Sequence, residues 1–171
     1  MELLIVRHAI AEERNAQRWP GDTQRPLSAE GLTRARHAAQ GLRRIAPRPV
    51  RALASPLART QQTAAILSQF AGWPASTRCE LLEPGASVQG LLKLLADRRE
   101  QCIGLVGHEP DLGRLLAWCL RGPSGSASIQ LRKMGAALVS FDGRARAGAG
   151  TLEWLLSPRI LRAARRLTSK A

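Results

Sequence analysis

Arg7 and His8 stand directly behind the short apolar run Leu3-Leu4-Ile5-Val6. Arginine offers phosphate oxygens a planar fork of donors, and a neutral imidazole can attack phosphorus. Two later junctions repeat the arrangement. Ser55-Pro56, with Arg59 shortly after, follows the run Val50 to Ala54, and Gly107-His108-Glu109-Pro110 follows Cys102 to Val106. In an open α/β sheet the C-terminal edges of the strands form the ligand crevice. Parallel strands would bring Arg7, His8, Arg59 and His108 to one rim. Two arginines, two histidines and helix N-termini at one rim make an anion pocket.

The elements that must position these residues can be read in order. Leu3 to Val6 reads as a buried strand, and the polar stretch from Ala11 to Arg25 as a loop. Ser28 is placed to cap a helix from Ala29 to Ile45, with Glu30 in its first turn. Val50 to Ala54 is a second strand. Ser55-Pro56 reads as N-cap and first residue of a helix running to Phe70. A strand over Thr77 to Leu81, a helix over Ser87 to Arg98, the Cys102 strand and a helix ending near Leu120 follow. Residues 121 to 128 read as a loop, and Gln130 to Phe141 and Thr151 to Leu156 as late strands. Alternating strands and helices argue for a single α/β domain over residues 1 to 157. Residues 158 to 171 read as a basic C-terminal tail, helical at first.

Composition narrows the function classes. The chain has 171 residues, 44% of them apolar, enough for a core without disulfide staples. It has no apolar run of transmembrane length and no evident signal peptide. Cys79, Cys102 and Cys119 are sparse and far apart, which fits a reducing cytoplasm. The net charge is +13, and all basic residues except Lys93, Lys133 and Lys170 are arginine. Such an excess favours anionic partners. Nucleic acid is the less favoured of these, because aromatics are scarce (four Trp, two Phe and no Tyr) and none is seen interleaved with the cations as a stacking platform needs. His8 and His108 have no carboxylate cluster or His-x-x-x-His spacing beside them, so no metal site is expected.

Leu4-Ile5-Val6-Arg7-His8-Ala9, Ser55-Pro56-Leu57-Ala58-Arg59-Thr60 and Val106-Gly107-His108-Glu109 resemble, in that order, the motifs of the histidine phosphatase superfamily. Pro26-Leu27-Ser28-Ala29-Glu30-Gly31 is similar to the segment that opens the family's first helix. The resemblance spans residue 3 to about residue 120. The short chain and the run Gly107 to Leu112 most resemble the SixA-type phosphohistidine phosphatases. The resemblance implies a phosphoglycerate-mutase-like fold: a three-layer α/β/α sandwich with a mostly parallel central sheet. It implies His8 as nucleophile, Arg7 and Arg59 as a clamp on the phosphate, and His108 as a donor to the phosphoryl group. Arg25, before Pro26-Leu27, resembles a basic residue at the same place in the SixA-like branch and is a candidate to reach the phosphate or the substrate. Glu83, in Leu81-Leu82-Glu83, fits the spacing of the superfamily's proton donor, although Pro84-Gly85 follow directly. Glu109 competes with it for that role and for contact with the substrate. Ala9 stands where the signature has glycine. His37 matches no motif and reads as ordinary surface.

The expected activity is a cofactor-free, metal-independent phosphatase that passes through a phosphohistidine intermediate. Its expected substrate is phosphohistidine in a protein, and the positive charge would suit an acidic one. Two alternatives stay open: a small phosphorylated metabolite as substrate, or a non-catalytic basic module that binds RNA or an acidic protein. The oligomeric state is left open.

Overall fold

A computed structural model describes residues 1–124 and 129–167. The apolar run after Met1 becomes strand β1 (Glu2–Arg7), near the middle of a six-stranded sheet. The other strands are β2 (Arg51–Ala54), β3 (Ser76–Arg78), β4 (Cys102–Gly107), β5 (Ala136–Phe141) and β6 (Gly150–Leu156). Their order across the sheet is β3-β2-β4-β1-β5-β6. The first four strands run parallel, and β5 and β6 are antiparallel to their neighbours. A strand covered on both faces should be apolar throughout rather than alternating. Leu3 to Val6 and Cys102 to Gly107 are buried at every position.

Among the described residues five α-helices cover the two faces: α1 (Ala29–Ile45), α2 (Ala58–Ala71), α3 (Val88–Ala96), α4 (Asp111–Arg121) and α5 (Pro158–Ala164). Leu4, Val6, Ala52 and Leu138 pack against Leu42 of α1, Leu67 of α2 and Leu161 of α5. Leu3, Ile5, Leu53 and Val139 pack against Leu95 of α3 and Leu115 and Leu116 of α4. The alternation of strand side chains thus divides the core into two layers around one sheet. This is the three-layer α/β/α sandwich, with a mostly parallel sheet. Ser28 caps α1 as expected, its hydroxyl accepting from the Gly31 amide. Gly104 in β4 makes room for a large side chain: a Cβ there would lie 2.4 Å from the Trp73 ring.

Several boundaries differ from the sequence reading. Ser55 does not cap α2; the helix begins at Ala58 after Leu57, and the Ser55 hydroxyl is engaged elsewhere. The third strand is shorter, and Glu80–Leu82 form a single 3₁₀ turn. Residues 130 to 135 do not join the sheet as strand: both backbone polar groups of Leu131 are bonded to the side chains of Arg7 and Glu109, and Met134 and Gly135 form a turn bonded to the end of β1. His37 is half-buried rather than plain surface, with a pKa lowered by burial and then by the charges of Arg165 and Arg162. Within the stretch read as a basic tail, α5 lies flat on α1 with Leu161 fully buried. The contact is close because Gly41 lacks a side chain; a Cβ there would sit 1.7 Å from the Leu161 carbonyl oxygen. Residues 125 to 128 of the expected loop and 168 to 171 of the expected tail lie outside the described residues.

Candidate active site

Strand register puts the expected residues at one level. Arg7 pairs with Gly107 across β1 and β4, so His8 and His108 leave adjacent strands side by side. Ala54 of β2 pairs with Val106, and the Ser55 amide continues that ladder to the Val106 carbonyl at 3.0 Å. Arg59, the second residue of α2, follows Ser55 by one turn. The rings of His8 and His108 have centroids 5.1 Å apart and are inclined at 56°. His8, Arg59 and His108 are buried, at 6%, 3% and 3% exposure.

The His8 ring is fixed by its own neighbour. Nδ1 lies 2.7 Å from the Ala9 carbonyl oxygen, which can only accept, so Nδ1 carries the proton. The lone pair is then on Nε2. Burial drives the His8 pKa down to about 3, opposed by the bond to Ala9 and reinforced by the charges of Arg59, Arg7 and Lys133. His108 is pushed to about 3 by burial, and then by His8, Arg59 and Arg7. Both rings are therefore neutral at ordinary pH. His108 Nε2 shares a 3.0 Å hydrogen bond with the Ser55 hydroxyl, which is why that hydroxyl is absent from the helix cap. Ala9 has no positive φ and is buried, so alanine fits here without backbone strain. Its amide donates to Thr63 Oγ1 at 3.1 Å, and that hydroxyl donates to the Arg59 carbonyl at 2.7 Å.

The two arginines are anchored at one end only. Arg7 Nη1 donates to the Leu131 carbonyl at 2.9 Å, and Arg59 Nη1 donates to the Asp22 carbonyl at 2.9 Å and lies 3.1 Å from its carboxylate. The Nε atoms of both are buried with no acceptor. Buried donors without a partner are uncommon and call for an explanation.

Arg25 holds the loop rather than the strand ends. Its Nε donates to Asp22 Oδ1 at 2.6 Å and its Nη1 to the Glu12 carbonyl at 2.7 Å. Asp22 thus joins Arg25 to Arg59, and the Arg25 hydrogen bond is the main cause holding its carboxyl below the usual range. Asp22 has φ 51°, a left-handed conformation that aspartate tolerates. Glu109 Oε1 accepts from the Leu131 amide at 2.8 Å, and burial raises its pKa. Arg7 and Glu109 therefore grip the two backbone polar groups of one residue, Leu131. Glu83 is half-exposed just after the 3₁₀ turn, on a loop tied to α4 where the Gly85 amide donates to Asp111 Oδ2 at 2.9 Å. Among the described residues no three His, Cys, Asp or Glu side chains are placed to hold a metal ion.

Sequence reasoning missed Asp22, Lys133, Ser55 as a histidine partner, and Thr63. Asp22 sits in a polar stretch after Gly21, where only a turn is signalled locally. Lys133 is one of three lysines in an arginine-rich chain, a faint signal at best. It stands in the turn before β5, where the next amide, of Met134, donates to the carbonyls of Arg7 and His8 at 3.1 and 3.2 Å.

An uncharacterized protein of Picosynechococcus sp. is 36% identical over 139 residues, covering 79% of this chain and 82% of its own. The structure is similar to that of the protein histidine phosphatase SixA complexed with tungstate, with a TM-score of 0.80 and 25% identity over 94% of this chain and 99% of that one. It also resembles the alpha-ribazole phosphatase of Shigella flexneri, with a TM-score of 0.66 over 92% of this chain and 97% of that one. At 17% identity that second likeness shows the fold alone. The model of the histidine phosphatase superfamily (branch 1) matches residues 3–93, and with it the strand-end histidine and arginines described above: the chain belongs to that superfamily.

Proposed function

We propose that the protein is a phosphatase in which His8 carries the phosphoryl group, and that it acts on phosphohistidine in another protein. One observation carries the first part. A neutral histidine with its lone pair on Nε2 stands within the electrostatic reach of two arginines, Arg7 and Arg59, whose buried Nε donors lack acceptors. A tetrahedral oxyanion supplies those acceptors, and SixA is described with tungstate, an anion of that shape.

The reaction would proceed in two displacements. His8 Nε2 donates its lone pair to phosphorus as the bond to the leaving group breaks, giving phosphohistidine on the protein. Water then attacks phosphorus, the P–N bond to His8 breaks, and inorganic phosphate leaves. Arg7 and Arg59 hold the nonbridging oxygens, where charge resides during transfer. His108, fixed by Ser55, donates to an oxygen from the opposite ring position. Arg25 would act through Asp22 on Arg59 rather than on the phosphate itself. Glu109, engaged with Leu131, would position Arg7, which leaves Glu83 as the better candidate for proton donor.

The substrate follows from the leaving group. An alkoxide leaves poorly unless protonated, whereas imidazole is readily protonated near neutral pH. Glu83 makes no side-chain hydrogen bond among the described residues and sits half-exposed, which suits an easily released leaving group. An acidic partner fits the +13 charge, and a reducing, cytoplasmic setting fits the three buried free thiols. No described helix is long and apolar enough to cross a membrane.

The decisive experiment is a brief reaction with labelled phosphohistidine protein, using wild type and His8→Ala. Acid-labile, base-stable label on the wild type alone is expected. An unlabelled wild type with unchanged turnover in the variant would remove His8 from the chemistry. Equal turnover of an alkyl phosphomonoester would overturn the substrate assignment, and loss of activity in EDTA with rescue by a divalent ion would overturn the metal-free route.

A further inference from the structure

Beside the reaction centre runs a groove of about 750 Å³, walled by α1, the turn before β5, and α5. Its floor is uncharged and includes Ala9, Ile10 and Met134, while Arg34, Arg132, Lys133, Arg159 and Arg162 line it. Among the described residues no carboxylate lines it. Arg34 is paired with Glu30 at 2.6 Å, but the other four cations form no ion pair among the described residues. Arg159 and Arg162 stand three residues apart on one short helix, a spacing at which like charges disfavour the helix.

The groove flanks the nucleophile, although His8 itself does not line it. Arg7 and Ala9, the residues on either side of His8, both line it. The charge of Lys133 is felt at the His8 ring. An anion seated in the groove would therefore be attached to, or close to, the group being dephosphorylated. Four unpaired cations exceed what one additional phosphate would neutralise. Among the described residues no aromatic side chain lines the groove, so these offer none of the stacking surfaces of a single-strand nucleic-acid site.

We infer that this groove docks an acidic segment of the substrate protein, with Lys133 nearest the phosphorylated residue and Arg159 and Arg162 receiving carboxylates farther along. This rests on the phosphatase reading for its substrate, and the groove can be tested apart from catalysis. In the kinetic arm, Arg159→Glu/Arg162→Glu is compared with wild type on an acidic phosphohistidine protein and on phosphoramidate. The ratio of the two kcat/KM values, protein over phosphoramidate, should fall about tenfold, mainly through KM, and its salt dependence should flatten. An unchanged ratio would overturn the assignment.

In the binding arm, a fluorescein-labelled oligoglutamate peptide is titrated against wild type, His8→Ala and Arg159→Ala/Arg162→Ala at low salt. Binding by the first two and its loss in the third support the groove even where no phosphoramidate is turned over, an outcome that would count against the catalytic reading alone. Absence of peptide binding to wild type overturns the groove. So does a single-stranded RNA of equal charge that binds more tightly and is lost on the same substitutions.

Discussion

Lowering the pH from 7 to 5 should cost the protein about 4 kcal/mol of folding free energy through His8 and His108 alone. Both are buried, and both are held near a pKa of about 3 against an ordinary 6.5. In the unfolded chain a histidine is about one-quarter protonated at pH 7 and almost fully protonated at pH 5. The folded protein binds neither proton in that interval. The unfolded state therefore takes up more protons, and stability falls as pH falls, beginning near 6.5 and continuing towards 3. Integrating the unfolded titration over the two pH units gives about 2 kcal/mol for each ring. Urea unfolding of wild type and His8→Gln/His108→Gln at both pH values isolates this effect, since every other titrating group is common to the two proteins. The wild type should lose about 4 kcal/mol more than the double variant, and each single variant should recover about half. Saturating tungstate should shrink the wild-type loss, because a bound anion favours the charged rings. Identical pH dependence in the two proteins would show that these rings are not held neutral, and with that the lone pair required of His8 Nε2 would lose its basis.

Arg59→Met removes a buried guanidinium that joins Asp22 to the oxyanion position, and kcat/KM should fall about 10²–10³-fold. Steady-state kinetics check this, together with loss of most of the Tm rise produced by tungstate; a change within threefold, roughly the scatter of a neutral substitution, would count against the clamp. Glu109→Ala leaves the Leu131 amide without its acceptor and should cost about 1–3 kcal/mol in urea unfolding, against about 0.5 kcal/mol or less for Glu83→Ala. Equal costs would mean that the grip on Leu131 is incidental. Gly41→Ala drives a methyl group into the Leu161 carbonyl and should cost about 1–3 kcal/mol. Removal of residues 158 to 171 should cost more, by exposing Leu42 and its neighbours; a truncated chain as stable as the whole would make α5 an appendage.

The strand ends were legible in the sequence because everything that specifies them is local. Apolar runs mark the strands; His8 and His108 each follow one directly, and Arg59 comes at the start of the helix after β2. What was not legible depends on partners distant in the chain. Ser55-Pro56 has the local signature of a helix start, yet its hydroxyl is taken by His108, 53 residues away. Gln130 to Leu131 has the composition of a strand, but Arg7 and Glu109 hold its backbone in place of a sheet neighbour. The segment from Pro158 carries enough arginine to look like a solvated tail. Its burial turns on Gly41 and the alanine-rich inner face of α1, and small residues that permit close approach leave no hydrophobic stripe to read.

The same geometry makes the rim a costly part of the fold. Two guanidinium donors are buried without acceptors, two imidazoles are kept neutral beside them, and Asp22 and Met134 take positive φ at its border. An unsatisfied buried donor costs about 1–3 kcal/mol, and a strained backbone residue a similar amount. These penalties fall on the rim and on the loop and turn bonded to it, where Asp22 meets Arg59 and the Met134 amide meets the Arg7 and His8 carbonyls, while the apolar layers on both faces of the sheet carry none of them. A tetrahedral oxyanion offers several acceptors to these unpaired donors, so its binding relieves part of that cost. That relief is not selective for the transferring phosphoryl group: inorganic phosphate, the product, satisfies the same donors. Product inhibition should therefore be competitive and stronger than the charge of a surface arginine pair would give, and selectivity for the substrate must come from contacts outside the rim. The groove floored by Ala9 and bordered by Lys133 is where the chain places such contacts.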